Sequence, residues 1–217
     1  MLLRVPGVYR PQSDTHLLSD AISDHAMRLG TRAIDLCTGT GAVAIHAARC
    51  GAARVTAVDV SRRAAATALV NARLARADVE VRRGDLAAPV AGREFDLVLS
   101  NPPYVPTDPA APPPHGAARA WDAGGDGRSV LDRICRAAPQ LLAPGGTLLL
   151  VQSALSGVEK TLAMLAESGV PSDVHARRSI PLGPVLRSRQ RMLVGRGLLD
   201  AAQRTEDIVV IRGVKPS

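Results

Sequence analysis

Residues 101–104 read Asn-Pro-Pro-Tyr, directly after the apolar run 95–100 (FDLVLS). Pro102 and Pro103 fix φ and remove two backbone donors, and Pro102 keeps Asn101 out of the helical region. The product is a stiff turn with exposed carbonyls, an amide side chain at one end and the aromatic face of Tyr104 at the other. Such a turn suits a flat –NH2 group. The Asn101 side-chain oxygen and the Pro102 carbonyl accept its two hydrogens, while Tyr104 packs on its plane. Asparagine accepts without the negative charge that aspartate would add. The same residue types also build an ordinary strand-end turn, so the tetrapeptide has to be weighed with what precedes it.

Residues 33–41 (AIDLCTGTG) lead from an apolar stretch through Asp35 into a loop with Gly39 and Gly41, and an Ala-rich helical stretch follows at 42–50. Glycines there allow a tight turn and let a ligand approach the main chain closely. The third glycine of a dinucleotide fingerprint is missing. A second run, 54–60 (RVTAVDV), carries Asp59, 20 positions after Gly39. An acidic side chain at that place typically accepts from ribose hydroxyls. After a third run, 79–81, come Gly84, Asp85 and Leu86; a carboxylate there can accept from an adenine amine, with the leucine against the ring. A lone G-x-G carries little weight. Here three strand ends in order each bear an acidic residue, and the fourth bears Asn-Pro-Pro-Tyr. Ligands of open α/β sheets sit at the carboxyl ends of strands, so these residues are expected to converge on one crevice.

Holding those ends together requires strands and helices in alternation, and the hydrophobic pattern supplies them. Strands are predicted near 32–37, 54–59, 78–82, 95–100 and 146–152, with two more within 172–180 and 206–212. Helices are predicted near 14–29, 41–50, 61–76, 128–142 and 156–168. Ser61 fits an N-cap, and Pro144-Gly145-Gly146 ends the fourth helix and turns into the fifth strand. Leu155, Val158, Leu162 and Leu165 fall at helical spacing and read as core. Residues 102–114 carry seven prolines, a stiff loop expected to wall the site or to be partly disordered. The Arg-rich segment 185–198 reads as a helix on the substrate side. One domain is expected over 1–217, with an N-terminal segment and helix over 1–30 and the core over 31–217.

A chain of 217 residues, 46% hydrophobic, can bury one sizeable core. No run approaches the roughly 18 apolar residues of a membrane span. The apolar start (MLLRVPG) is broken by Arg4 and Pro6, short of the about 7–15 residues of a secretory signal core. Cys37, Cys50 and Cys135 show neither close pairing nor zinc spacing, which fits a reducing cytoplasm. His16, His25, His46, His115 and His175 form no metal-like cluster, so no metal site is expected. The net charge is +7, and all basic residues but Lys160 and Lys215 are arginines. Heavy Arg and Ala use is also what a GC-rich coding sequence would give, so charge alone does not indicate nucleic-acid binding. The densest group, Arg177, Arg178, Arg187, Arg189, Arg191 and Arg196, also suits phosphate on RNA or on an RNA-bound protein. The last four lie too close together to be buried and paired one by one, so exposed side chains are expected. No aromatic interleaving supports base stacking.

With its D-x-x-x-G-x-G loop, Asp59, Gly84-Asp85-Leu86 and Asn-Pro-Pro-Tyr, the chain resembles the class I S-adenosylmethionine-dependent methyltransferases. Among them it is similar to the HemK family of protein glutamine methyltransferases, from about residue 7 to 213. Residues 7–18 (GVYRPQSDTHLL) resemble the Y-x-P-x-x-D-T-x-x-L opening of the family's short branch. Residues 121–127 (WDAGGDG) resemble the Gly-Gly-x-Asp-Gly stretch after the family's proline loop, and 207–213 (DIVVIRG) its last strand. The helical domain that bacterial HemK enzymes carry ahead of the Gly-rich loop is expected to be absent.

That resemblance implies a Rossmann-like α/β fold: a seven-stranded, mostly parallel sheet with helices on both faces and the last strand antiparallel. It implies S-adenosylmethionine as cofactor, held by Thr15, Asp35, Cys37, Gly39, Gly41, Asp59, Asp85, Leu86 and Asn101, with Cys37 where the family often has glycine. Asn101, Pro102, Pro103 and Tyr104 would form the catalytic motif. The implied reaction is methyl transfer to a glutamine amide nitrogen in a protein, with the Gly-Gly-Gln loop of a peptide-chain release factor as target. Some short-branch relatives work with a small zinc-binding activator protein. Other acceptors stay open: the exocyclic amine of adenine in DNA or RNA, a small molecule, or a protein lysine. So does a non-catalytic S-adenosylmethionine-binding module, although such a module has no need of the two acceptors. A base-flipping enzyme normally carries a target-reading element, and no spare segment is evident.

Overall fold

Apolar runs of strand length alternate along the chain with stripes of helical period, and each becomes the element its period dictates. The computed structural model describes residues 2–111 and 116–217. The end of the proline-rich loop and the expectation for His115 lie outside the described residues. Five strands come in the first two thirds: β1 (Arg32–Leu36), β2 (Arg54–Asp59), β3 (Val79–Arg83), β4 (Phe95–Ser100) and β5 (Leu142–Ser153). Two follow, β6 (Ser172–Pro181) and β7 (Thr205–Val214). The helices are α1 (Ser13–Asp24), α2 (Ala42–Arg49), α3 (Arg62–Leu74), α4 (Leu131–Leu141), α5 (Val158–Glu167), α6 (Pro184–Ser188) and α7 (Gln190–Gly195).

The strands form one sheet in the order β3-β2-β1-β4-β5-β7-β6. It is parallel from β3 to β5, and β7 runs antiparallel to both of its neighbours. The implied seven-stranded, mostly parallel sheet is therefore the one observed. Helices α1 and α2 pack together, as do α4 and α5, and the sheet is covered on both faces. Central strands are accordingly buried almost residue by residue: β1, β4, β5 and β7 carry the fully buried Ile34, Leu36, Leu97, Leu99, Leu148, Leu150 and Ile211. Edge strands β3 and β6 are largely exposed. Strand order reverses between β1 and β4, and Leu36 pairs with Ser100 at their ends. A ligand crevice opens at such a switch point, so the loop after Leu36 and the motif after Ser100 start side by side.

Three boundaries differ from the sequence reading. Helix α1 stops at Asp24, not near residue 29, because its buried stripe (Leu17, Leu18, Ala21, Ile22) has no continuation and Leu29 is fully exposed. Helix α4 begins at Leu131 instead of 128, since Arg128 is withdrawn into a buried hydrogen-bonding role. Pro144-Gly145-Gly146 does not precede β5 but lies within it, as an irregularity where pairing jumps from Phe95–Leu142 to Leu97–Thr147. A Cβ at Gly146 would come within 2.9 Å of the Phe95 carbonyl, which only glycine avoids. Ser61 does cap α3, accepting from the Ala64 N–H at 3.3 Å.

The Arg-rich segment forms two short helices with a core of their own. Leu182, Leu186, Leu193 and Leu199 are buried together, packed by Val105 and by Leu155. Leu155 thus joins this satellite cluster, while Val158, Leu162 and Leu165 join the main core. Arg187, Arg191 and Arg196 are exposed as expected and Arg189 is half-buried, but two of the four are bonded into the fold. Arg189 lies 2.7 Å from Asp122 and donates to the Pro106 carbonyl. Arg196 donates to the carbonyls of Thr107 and Gly125. These contacts tie α6 and α7 to the proline loop. Arg187 and Arg191 are exposed, with no side-chain bond among the described residues. Arg177 and Arg178 pair with Asp207 and Asp20.

Candidate active site

At the carboxyl ends of β1, β2 and β4 the chain encloses a cavity of about 810 Å³, within the range of about 300–1,000 Å³ typical of small-molecule sites. Its wall includes Thr15, Asp35, Cys37, Gly39, Asp59, Asp85, Leu86, Asn101, Pro102, Pro103 and Tyr104. Eleven residues chosen from sequence thus meet on one surface. Gly41 is the exception. Its backbone is left-handed (φ +80°), and an added Cβ would lie 3.1 Å from Ala68 of α3, so it serves helix packing and does not line the wall.

The loop after β1 is shaped by two carboxylates. Asp35 is 1% exposed and accepts from the Thr38 hydroxyl at 2.5 Å and the Ala44 N–H at 3.2 Å. Burial pushes its carboxyl up to about 7, against the lowering effect of those two bonds. Asp59 accepts from the Gly39 N–H and the Ser61 N–H, both at 2.9 Å. Each of its oxygens keeps a further lone pair. Asp85 is exposed, and one of its oxygens takes Arg133 of α4 at 2.7 Å. Cys37 and Leu86 adopt left-handed backbone (φ +60° and +48°), a conformation that costs side-chain-bearing residues energy. The glycine usual in the family at the position of Cys37 is explained by that φ.

On the other side of the crevice Asn101 turns its Nδ2 toward the Thr15 hydroxyl, 3.2 Å away. Its Oδ1 receives no hydrogen bond among the described residues, nor does the Pro102 carbonyl. Both acceptors belong to residues of the cavity wall. Tyr104 is fixed at both ends. Its hydroxyl donates to Asp14 at 2.9 Å, and its carbonyl accepts from the Ser156 hydroxyl at 2.7 Å. The glycine-rich stretch packs on the same loop: Val105 N–H meets the Trp121 carbonyl at 2.8 Å, and a Cβ on Gly127 would collide with the Tyr104 carbonyl.

Three wall residues escaped the sequence reading. Asp14, 3% exposed, accepts from the hydroxyls of Tyr9 and Tyr104 and from the N–H and hydroxyl of Thr15. Tyr9 reaches it from the N-terminal segment at 2.7 Å. Burial first, then the Asp14 charge, pushes both tyrosine hydroxyls above their ordinary range, so they remain donors. The Y-x-P-x-x-D-T pattern contains both residues, and the family resemblance implies a role only for its threonine. Glu206, at the start of β7, is 7% exposed and accepts from Ser153 at 2.7 Å. Burial pushes its carboxyl up to about 7. No sequence signal separates it from an ordinary strand-end acid.

This geometry joins a nucleotide-type loop to two acceptors that receive no hydrogen bond among the described residues, and the chain that carries it is similar to known proteins. The profile of the methyltransferase small domain family matches residues 3–111. The release factor glutamine methyltransferase of Bordetella pertussis is 36% identical over 186 residues, covering 81% of this chain and 67% of its own. The human methyltransferase HEMK2 is 33% identical over 170 residues, covering 75% of this chain and 79% of its own. Among solved structures, the Mtq2–Trm112 complex of E. cuniculi, responsible for methylation of the translation termination factor eRF1, superposes with a TM-score of 0.66. That match has 25% identity and covers 96% of this chain and 99% of the other.

Proposed function

The chain belongs to the HemK-type branch of the methyltransferase small domain family, and from that premise we propose that it transfers a methyl group from S-adenosylmethionine to a glutamine side-chain amide nitrogen of a peptide-chain release factor. The observation that carries this reading is the pair of acceptors at the cavity wall that receive no hydrogen bond among the described residues, Asn101 Oδ1 and the Pro102 carbonyl.

Cavity size and donor set both suit the cofactor. About 810 Å³ leaves room for a nucleotide-sized molecule and an acceptor side chain. Asp59 would take the ribose hydroxyls on its remaining lone pairs, Asp85 the adenine amine and Leu86 the adenine ring. Thr15, Asp35, Cys37 and Gly39 would border the rest. When bound, S-adenosylmethionine supplies an electrophilic methyl carbon. An amide nitrogen is a weak nucleophile because its lone pair is delocalised into the carbonyl. Asn101 Oδ1 and the Pro102 carbonyl would accept both of its hydrogens, hold it in line, and favour the pyramidal nitrogen of the transition state. Pro103 keeps that turn rigid, and Tyr104 walls the acceptor. Methyl transfer would break the methyl–sulfur bond and leave the demethylated thioether of the cofactor, and the proton would then pass to solvent, because the methylated nitrogen is far more acidic.

The test is incubation with labelled cofactor and the organism's release factors, RNA and DNA, with the label located by mass spectrometry. Label on a release-factor glutamine supports the reading; label only on an adenine amine, a lysine or a small molecule overturns it. Asn101→Ala is expected to cut turnover on the order of 100-fold or more while cofactor binding persists. A near wild-type rate in that variant removes the acceptor pair from the reaction.

A partner is part of the same proposal. The E. cuniculi neighbour was solved in complex with Trm112. Here β3 is an edge strand, and Leu69, Val70 and Leu74 of α3 stand exposed beside it, with Val60 after β2. Such a patch supports docking of a small activator protein. Equal turnover with and without host extract, and no change in Leu74→Glu, would refute it. Among the described residues no helix is long and apolar enough to cross a membrane, and a cytoplasmic setting, where release factors act, follows from the proposed substrate.

A further inference from the structure

Asp14 stands in the first turn of α1 and receives four donors. Thr15 gives its N–H and its hydroxyl to Oδ1 at 2.6 and 3.2 Å. Tyr9 and Tyr104 give their hydroxyls to Oδ2 at 2.7 and 2.9 Å. A carboxylate can only accept, and that fixes the direction of every bond above it. The single hydrogen of the Thr15 hydroxyl goes to Asp14, so the Thr15 oxygen must accept from its other neighbour. That neighbour is Asn101, which therefore presents its –NH2 to Thr15 and its oxygen to the cavity. Without an acceptor-only group beneath Thr15, the hydroxyl could donate upward and the Asn101 amide would turn over, placing –NH2 where an incoming –NH2 needs an acceptor.

We propose that Asp14 is a positioning residue for the methyl acceptor: it orients the Asn101 amide through Thr15 and seats Tyr104 directly. The pocket for a planar nitrogen is then assembled only when the N-terminal segment lies over it, because Tyr9 and Thr15 approach from that segment. The inference rests on the acceptor role of Asn101 proposed above.

Three variants and two readouts test it. Asp14→Asn keeps the shape but can donate as well as accept. Its kcat on release factor is expected to fall about tenfold or more, while the cofactor Kd from calorimetry stays within about threefold, a change worth less than about 1 kcal/mol. Thr15→Val, which removes the relay hydroxyl, should lower kcat by a similar factor, and Thr15→Ser, which restores a hydroxyl, should recover most of that loss relative to Thr15→Val. A purely structural role would not be rescued by serine in this way. Both tyrosines of the chain bear on this carboxylate, so tyrosinate absorbance reads the network without any activity. In the wild type, ionisation should begin well above the ordinary value of about 10, and in Asp14→Asn it should begin earlier. Wild-type kcat in Asp14→Asn or Thr15→Val overturns the proposal, as does a loss of kcat that only follows cofactor affinity. Should Asp14→Asn not fold, Thr15→Val decides. If the wild type leaves release factor unmodified, the functional reading fails, and the tyrosine titration still judges the network: an unchanged onset in Asp14→Asn overturns it.

Discussion

Asp59 joins two backbone N–H groups, those of Gly39 and Ser61, and so shapes the loop whose wall it also forms. Hydrogen bonds to a charged group are worth about 1.5–3 kcal/mol. Asp59→Ala is therefore expected to weaken S-adenosylmethionine binding about 10- to 100-fold, measured by calorimetry; unchanged affinity in a folded variant would remove its ribose role. Cys37 poses the opposite question, since its φ of +60° suits glycine better than cysteine. A side chain in that region costs about 1–2 kcal/mol, and the extra freedom of glycine in the unfolded chain costs about 0.5–1. Cys37→Gly should leave stability level or raise it by up to about 1.5 kcal/mol in urea unfolding. A clear loss would mean that the packing of the thiol outweighs the backbone.

Helices α6 and α7 show how an exposed-looking arginine run divides its labour. The ion pair of Arg189 with Asp122 is mostly shielded from water, at 24% and 12% exposure, and is ionic in character with no well-directed hydrogen bond. Arg189 adds a bond to the Pro106 carbonyl, so it anchors the segment to the proline loop. Arg189→Gln should cost about 1–3 kcal/mol. Arg187→Gln and Arg191→Gln should change stability by no more than about 0.5 kcal/mol. Those two variants are expected instead to raise KM for whole release factor at low salt, with the effect fading as salt screens the charge. Urea melts and kinetics at two salt concentrations separate the roles; early melting of the Arg187 or Arg191 variant would make them structural too.

At the scale of the molecule the sheet has carried two carboxyls, Asp35 and Glu206, out of water, and burial holds each at about 7. The unfolded chain releases these protons near the ordinary carboxylate range of about 4. Between about pH 4 and 7 the native form thus binds more protons than the unfolded one, and stability must fall as pH rises through that window. Above it both states are ionised and the curve levels. Glu80 and Asp96, held below their ordinary range by arginine partners, act the other way at the acid end of that range, and His25, lowered by burial, offsets part of the fall below about pH 6.5, while Asp59, raised by burial, adds to it. Urea midpoints at about pH 5, 6, 7 and 8 should decline and then flatten, and Glu206→Gln should make the decline shallower. A midpoint that rises from pH 5 to 7 would contradict this account of the two acids.

The alternation of apolar runs and helical stripes determined the strand and helix sequence, since burial on two faces or one is written in the period of hydrophobic residues. The ordered acids after three strands and Asn-Pro-Pro-Tyr after the fourth determined which residues would meet, because parallel strands bring all their carboxyl ends to one side. Local chemistry could not reveal where pairing shifts within β5, since that depends on the neighbouring Phe95 carbonyl. Nor could it separate Arg189 and Arg196 from Arg187 and Arg191, which are alike in type and differ only in what the folded proline loop offers them. Asp14 and Glu206 make the same point most clearly. A carboxylate becomes a polarity-setting or proton-holding group only when packing removes its water and supplies its donors, and those donors lie 90 residues away at Tyr104 and 53 away at Ser153.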